Sequence, residues 1–354
     1  MKDLLLNETP VRTSKNFNIN NIRFDNIDIP KKLKAFQNVT ISELGMKITV
    51  NKDTPKMNLK YGLNDILTDQ VNESANFKSN IVIDSKTNKD ILVDFEFDCE
   101  NDSLVEAINI VANEGTKSTV VIKYSSQKDL EAYHNGIIKA LVKQDAVLNV
   151  IVVNFLSDAS NHFLSIENEI ADNGKINFYI VDFGGKNAIT NYYSNIKGKE
   201  ADSRLNALYI GKDEQLIDLN YIGELYGEKS NLNIEVQGAL KDQARKHFKG
   251  TIDFKKGCKK AIGNENENCI LLSDKARSLA LPMLLCSEED VEGNHSTSSG
   301  KVAEKELFYI MSRGFKQKDA MKLLVRAKFN KILEEIKNEE LKNEILDQID
   351  KRID

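Results

Sequence analysis

Tryptophan is missing from all 354 residues, proline and cysteine occur 4 times each, and neither charge sign dominates. Each shortage excludes something. The cysteines Cys99, Cys258, Cys269 and Cys286 form no C-x-x-C pair, so a disulfide framework is not expected and the thiols should be free. Lys plus Arg number 49 against 54 Asp plus Glu, a formal net charge of −5, which leaves no overall basic field to hold a nucleic-acid backbone. No apolar run approaches the roughly 20 residues of a membrane span. The start, Met1-Lys2-Asp3-Leu4-Leu5-Leu6-Asn7-Glu8, lacks the apolar core of a secretory signal, so a cytoplasmic chain is expected. G-x-x-x-x-G-K-[ST], H-E-x-x-H, G-x-S-x-G and G-x-G-x-x-G are also absent, and Phe183-Gly184-Gly185-Lys186 lacks the spacing and the hydroxyl of a phosphate loop. ATP hydrolysis by this chain is therefore not expected, and an enzyme is not the default.

What is present is a long array of short strands. At 39.9 kDa the chain exceeds a single core of about 100–200 residues, and its pattern changes twice. The first part, to about residue 75, is mixed, with amphipathic pieces such as Leu59 to Leu67. From about residue 78, alternating or β-branched runs recur: Ile91 to Phe97, Val120 to Tyr124, Val150 to Phe155, Ile176 to Val181, Leu216 to Ile222, Leu232 to Val236 and Gly250 to Phe254. Few helical patterns separate them, which argues against a doubly wound α/β sheet. Sandwich, propeller and parallel β-helix all remain compatible. Asn and Gly at the turns favour a solenoid, because tight corners between stacked coils take left-handed backbone.

Beyond residue 300 the period becomes helical: Ala303 to Met311, Gln317 to Ile336 after a break at Arg313-Gly314, and Glu339 to Ile353. In the long helix Ala320, Leu323, Leu324 and Ala327 form one apolar stripe, and Met321, Val325, Phe329, Ile332 and Ile336 a second beside it. An arc that wide calls for cover on two sides, with the chain's own domain on one and a second chain as the candidate for the other; solvated faces on a helical cap are the alternative reading. Charge reverses within this tail, from nine bases and three acids over 301–333 to four bases and eight acids over 334–354.

Soft metal ligands cluster loosely between residues 258 and 295. Cys258, Cys269, Cys286 and His295 carry the side chains that iron and zinc prefer, at gaps matching no zinc-finger or ferredoxin spacing. Cys269 and Cys286 lie in apolar runs where cysteine packs as a small hydrophobe. His295, within Gly293-Asn294-His295-Ser296-Thr297-Ser298-Ser299-Gly300, reads as a residue of a polar, glycine-bounded turn. His134, His162 and His247 have no acid or thiol at a telling spacing and receive no role.

Longer motifs point further. Phe248-Lys249-Gly250-Thr251-Ile252, Asn266 to Ala276, Pro282-Met283-Leu284, Glu289-Asp290-Val291, His295 and Leu307-Phe308-Tyr309-Ile310-Met311-Ser312-Arg313-Gly314-Phe315 together resemble the C-terminal core of the SufB/SufD family of iron–sulfur cluster assembly. Near the start, Asn7-Glu8-Thr9-Pro10-Val11-Arg12-Thr13 is similar to the N-terminal motif of SufD proteins, with Ser14 where they carry Trp. The resemblance implies a mainly β fold, a right-handed parallel β-helix over 78–292, with an N-terminal cap over 1–77 and a C-terminal helical region over 293–354. It implies a non-catalytic SufD-like subunit that pairs with a SufB-like scaffold and docks a SufC-like ATPase through Leu307, Phe308, Tyr309, Arg313, Gly314, Leu324 and Phe329. His295 matches a family histidine implicated in cluster assembly, although Gly293 stands where those proteins carry Cys and Ser296-Thr297 replaces Gly-Ala. The SufB cluster-building Cys would align near Glu267, which favours the SufD-like assignment and leaves Cys269 and Cys286 as weaker ligand candidates. No cofactor is expected to stay on this chain alone; iron or a nascent cluster would visit the partner interface. The alternative is a self-sufficient homodimeric scaffold that binds the cluster through Cys269, Cys286 and His295. A β-helix polysaccharide lyase or hydrolase is the remaining, enzymatic rival.

Overall fold

A computed structural model describes residues 4–13, 19–24, 27–42, 47–50, 54–84 and 90–354. Met1 to Asp3 and Ser14, used in the sequence argument, lie outside the described residues. The N-terminal part contributes β1 (Leu4–Leu6), β2 (Ile22–Phe24), β3 (Val39–Ile41), β4 (Lys47–Val50) and helix α1 (Asp65–Ser74). The coils then begin with β5 (Phe77–Ile83), β6 (Ile91–Phe97), β7 (Ser103–Ala112), β8 (Lys117–Ser126), β9 (Tyr133–Val142) and β10 (Val147–Phe155). They continue with β11 (Asn161–Ile170), β12 (Lys175–Asp182), β13 (Asn187–Ile196), β14 (Asp202–Gly211) and β15 (Leu216–Leu225). The last are β16 (Asn231–Leu240), β17 (Arg245–Phe254), β18 (Ala261–Leu271), β19 (Arg277–Cys286) and β20 (Val291–Lys301), followed by α2 (Glu304–Ser312), α3 (Gln317–Leu333) and α4 (Glu339–Ile353).

Even-numbered strands from β6 to β20 stack in one sheet and odd-numbered strands from β5 to β19 in the other, every pair among them parallel. This is the parallel β-helix that the resemblance implies. Each coil supplies one strand to each sheet, and Ile, Val, Leu, Phe and Tyr from alternate positions fill the space between them. A fully buried side chain of this kind contributes about 1.5–3 kcal/mol. The coil length drifts from Asn161 paired with Asn187 at the short end to Arg245 paired with Arg277 at the long end. That drift hides the repeat from any fixed-period reading.

Corners repeat a single device. Asp145, Asn173, Asp213 and Asp242 hold φ between 53° and 58°, the left-handed region that short polar side chains tolerate. Their N–H groups reach the next coil, as Asp145 N does to Asp172 O at 3.1 Å and Asn173 N to Lys199 O at 2.9 Å. Glu200, Lys229 and Lys260 take the same conformation although their side chains do nothing to favour it.

Both outer faces are covered along most of their length. Leu4, Leu6, Ile22, Met57, Leu63 and the α1 residues Leu67 and Val71 pack on the odd sheet. Val325, Phe329, Ile332, Leu333 and Ile336, with α4 residues Leu341, Ile345, Ile349 and Ile353, pack on the even sheet. The charge reversal in the tail is explained by pairing between helices: Arg326 meets Asp350 at 2.7 Å and Lys322 meets Asp354 at 2.6 Å.

Two sequence expectations change here. His295 is in strand β20, not in a turn, because Val291 to Lys301 stays paired along β18 despite its glycines and serines. Phe329, taken as a docking residue, is wholly buried against the β-helix, since its stripe of α3 is the one that faces the chain's own sheet.

Candidate functional site

The two ends of the β-helix are finished differently. At the first coils the short strands β3 and β4 pair antiparallel with β6 and β5, and Phe36 plugs the interior with ring centroids 5.0 Å from Phe97 and 5.9 Å from Phe95. At the last coil nothing follows. Among the described residues β19 pairs only with β17 and β20 only with β18, leaving two strands of 10 and 11 residues with open edges. Leu279 and Leu284 on β19 are 45% and 36% exposed, and almost all of β20 is exposed. Long unpaired edges of this kind are templates for another strand.

Register places the chemistry at this mouth. Ala261, Gly263, Glu265, Glu267 and Cys269 of β18 share one face, and Cys269 shows that it is the interior one. Directly opposite on β20 stand Val291, Gly293, His295, Thr297 and Ser299. His295 is therefore on the interior side of the open edge, above Glu265. The Glu265 side chain lies across Gly250, where a Cβ would come within 2.1 Å of its carboxylate; only glycine leaves that room. Neither Glu265 oxygen has a hydrogen-bond partner. Burial, reinforced by the charge of Glu267, pushes its pKa up to about 8, so the carboxyl is mostly neutral near pH 7.

One residue pair deeper, Lys246 Nζ meets Glu267 Oε1 at 2.8 Å, and Tyr209 OH donates to the same oxygen at 2.8 Å. Both charges are sealed from solvent, and the ammonium lies 5.8 Å from the Tyr209 ring centroid and 5.7 Å from that of Phe248. Cys269 joins this group, with Tyr209 and Ser278 as its polar neighbours. Burial raises its thiol pKa against the pull of Lys246, so as placed it is a protonated thiol and not a ready nucleophile or ligand.

The structure does not bring Cys269, Cys286 and His295 together. Cys269 contacts Ser278 at the start of β19, whereas Cys286 ends that strand eight residues on, about 26 Å away at roughly 3.3 Å per residue. Cys286 is exposed and its Sγ donates to Glu288 O at 2.9 Å. His295 lies four residues along β20 from Ser299, the partner of Cys269. Among the described residues no three His, Cys, Asp or Glu side chains form a metal-binding set.

A second surface adjoins the mouth. Only Val302 and Ala303 separate β20 from α2, and α2 with the following turn exposes Phe308 at 73%, Tyr309 at 59% and Phe315 at 46%. Arg313 lies 5.1 Å from the Tyr309 ring centroid and donates to its hydroxyl at 3.0 Å. Gly314, at φ 98°, makes the left-handed link from α2 to α3. Leu307 and Leu324 are half-buried, and Leu324 lines a cavity of about 240 Å³ with Cys269, Ser298 and Glu306. Of the two stripes on α3, Leu323 and Ala327 remain exposed while the other lies on the β-helix.

Sequence reasoning missed Glu265, Lys246 and Tyr209. The strict alternation Asn264-Glu265-Asn266-Glu267-Asn268-Cys269 marks a strand polar on both faces, but assigning the inward face requires the coil register.

Comparison with known proteins adds identity to this geometry. The family model of the SUF system FeS cluster assembly SufBD core domain matches residues 95–328. The chain is 25% identical over 253 residues to the iron–sulfur cluster assembly protein SufD of Bacillus subtilis, covering 71% of this chain and 58% of that protein. It is 24% identical over 240 residues to SufD of Escherichia coli, covering 68% of this chain and 57% of that one. A SufBD family protein of Pyrococcus horikoshii is 31% identical over 139 residues, 39% of this chain and 31% of its own length. The chain thus spans less than two-thirds of the length of these relatives.

Proposed function

Because the chain belongs to the SufBD core family of iron–sulfur cluster assembly, we propose that it is a SufD-like, non-catalytic subunit that pairs with a SufB-like scaffold and docks a SufC-like ATPase. The observation that carries this reading is the open last coil: His295 stands on an unpaired edge strand, facing the interior, beside an exposed aromatic helix. A partner strand laid along β20 would complete the sheet and cover His295, so that iron or a nascent cluster, as cargo, meets one imidazole from this chain and further ligands from the partner.

Phe308, Tyr309 and Phe315 supply the apolar anchors for an ATPase, with Leu307 and Arg313 holding α2 in shape. Since two residues join β20 to α2, a pull on α2 acts directly on the edge strand that carries His295. ATP-driven movement of docked ATPases would in this way strain the paired edges and open the site. The rival homodimeric scaffold is disfavoured by the separation of Cys269 from Cys286 and by the raised thiol pKa of Cys269.

The test is the solution mass of the protein by light scattering, alone and mixed with SufB-like and SufC-like proteins of the same cell, followed by cluster output with His295→Ala. A stable three-protein complex and reduced output from a variant that still assembles are expected. A homodimer that takes the ATPase but refuses the scaffold, or normal output from His295→Ala, contradicts the reading.

A further inference from the structure

Far from the mouth, in the interior of the early coils, four polar side chains meet where hydrocarbon surrounds them. Glu106 on β7, Tyr124 on β8 and His134 on β9 are fully buried, and His162 on β11 is 1% exposed. We propose that they form a sealed hydrogen-bonded chain in which Glu106 is a carboxylic acid donating to His134, and that loss of this one proton loosens the coils around it.

Counting donors supports the assignment. His134 Nδ1 lies 2.9 Å from His162 Nδ1, the Tyr124 hydroxyl donates to Glu106 Oε1, and His134 Nε2 lies 3.4 Å from that same oxygen with no hydrogen-bond partner as placed. Two neutral imidazoles carry one N–H each. If His134 donates through Nδ1 to His162, its Nε2 is a bare acceptor, and a protonated Glu106 is the donor in reach. If His162 donates instead, His134 holds its proton on Nε2 and Glu106 only accepts. A carboxylate there would be an uncompensated buried charge; an acid there would leave its proton on Oε2, which has no partner. The first arrangement alone pairs the groups without charge.

Aromatic rings surround the cluster. Phe77 of β5 pairs in register with Glu106, Phe97 of β6 packs edge-on to His134, and Phe95 stacks on Tyr124. Among the described residues the ion pairs of Glu106 include no Lys or Arg, only His134. Gly136 makes the space: a Cβ there would lie 2.8 Å from Glu106 Oε1 and 2.9 Å from His134 Nε2. Burial pushes the Glu106 pKa up to about 8 and lowers that of His134 to about 3; burial and the neighbouring His134 also lower that of His162.

The sign follows. With its pKa raised above the ordinary carboxylate value, Glu106 binds its proton in the folded state over a pH range where the unfolded chain has lost it. Its stabilising contribution is complete below the unfolded value and falls away as pH rises toward about 8, by up to tenfold in the unfolding constant per pH unit. The histidines act oppositely, being neutral when folded, and their effect ends near pH 6.5, the ordinary histidine value. Glu265, raised alike, titrates in the same window, so the Glu106 effect is isolated between about pH 6.5 and 8 once Glu265 is replaced.

The experiment is infrared spectroscopy of the full chain with isotope-labelled glutamate, in a Glu265→Gln background that removes the other glutamate whose pKa burial pushes up to about 8. A protonated-carboxyl stretch at pH 7 that fades as pH rises through about 8, and is absent from Glu106→Gln, is expected. Glutamine can donate to His134 and accept from Tyr124, so that variant should fold, and its unfolding constant should depend on pH between 6.5 and 8 by about one proton less. Absence of the band at pH 7 from the labelled protein overturns the proposal even if the variant fails to fold. A band that persists in Glu106→Gln, or an unchanged pH slope, overturns it as well.

Discussion

The first and last coils are built from the same kind of strand, yet one end is closed and the other open. Phe36 and the antiparallel strands β3 and β4 seal the first coils, so a Phe-rich interior there costs nothing in exposed surface. At the other end the interior face runs out on Glu265, His295 and Thr297 at an uncovered edge, whereas the polar cluster of the early coils, Glu106, His134 and His162, is sealed from solvent. Polar residues inside the last coil are what an end left open to water, and then to a partner, requires. On the proposed function, the open end is the one that meets a partner, and the closed end has no such task.

Four substitutions sharpen that contrast. Phe36→Ala should remove about 3–5 kcal/mol of stability, read from urea midpoints, without weakening partner pairing. Thr297→Pro on β20 removes a backbone N–H that faces the open edge, since Ile262 N pairs back to Ser230 O and the alternation turns the N–H of Ser296 to β18; it should weaken pairing with a SufB-like protein by about 3 kcal/mol, or roughly 100-fold in titration calorimetry, with little change in the urea midpoint. Equal damage to both properties by either variant would erase the division between ends. Phe308→Asp should cost about 2–3 kcal/mol of ATPase affinity, again with the fold intact because that ring already faces solvent. The smallest effect belongs to the corners: Lys229→Asn, at φ 55°, should gain about 0.5–1 kcal/mol by easing left-handed backbone.

How much of this was legible beforehand differs between the two ends as well. Ile91 to Phe97 or Val150 to Phe155 announce themselves as strands through β-branched runs, and the three C-terminal helices are placed within a few residues by period and by Arg313-Gly314. Strands such as β9 and β11 are harder to see, because His134, Asn135, His162 and Ser165 interrupt the apolar pattern and find their partners only in the folded chain: the two histidines in each other across adjacent coils, Asn135 in Gln70 of α1, and Ser165 in the backbone of Leu63. β20 reads as a turn, since Gly293, Ser296, Ser298 and Gly300 carry turn chemistry; its strand conformation is imposed by β18 beneath it, where Asn264, Asn266 and Asn268 accept from Asn294, Ser296 and Ser298. The same tertiary pairing decides that Phe329 faces inward while Phe308 does not. His295 was found through motif resemblance, and Glu265 beneath it emerged only from the register.

Hydrogen exchange of the β20 amides, measured on the protein alone and bound to a SufB-like scaffold, tests the central claim most directly. Slowing by at least about tenfold across Val291 to Lys301 on binding, with β5 and β6 unchanged, is the predicted result. Tight binding that leaves β20 exchange untouched and protects another surface would contradict the assignment of the open end as the pairing site.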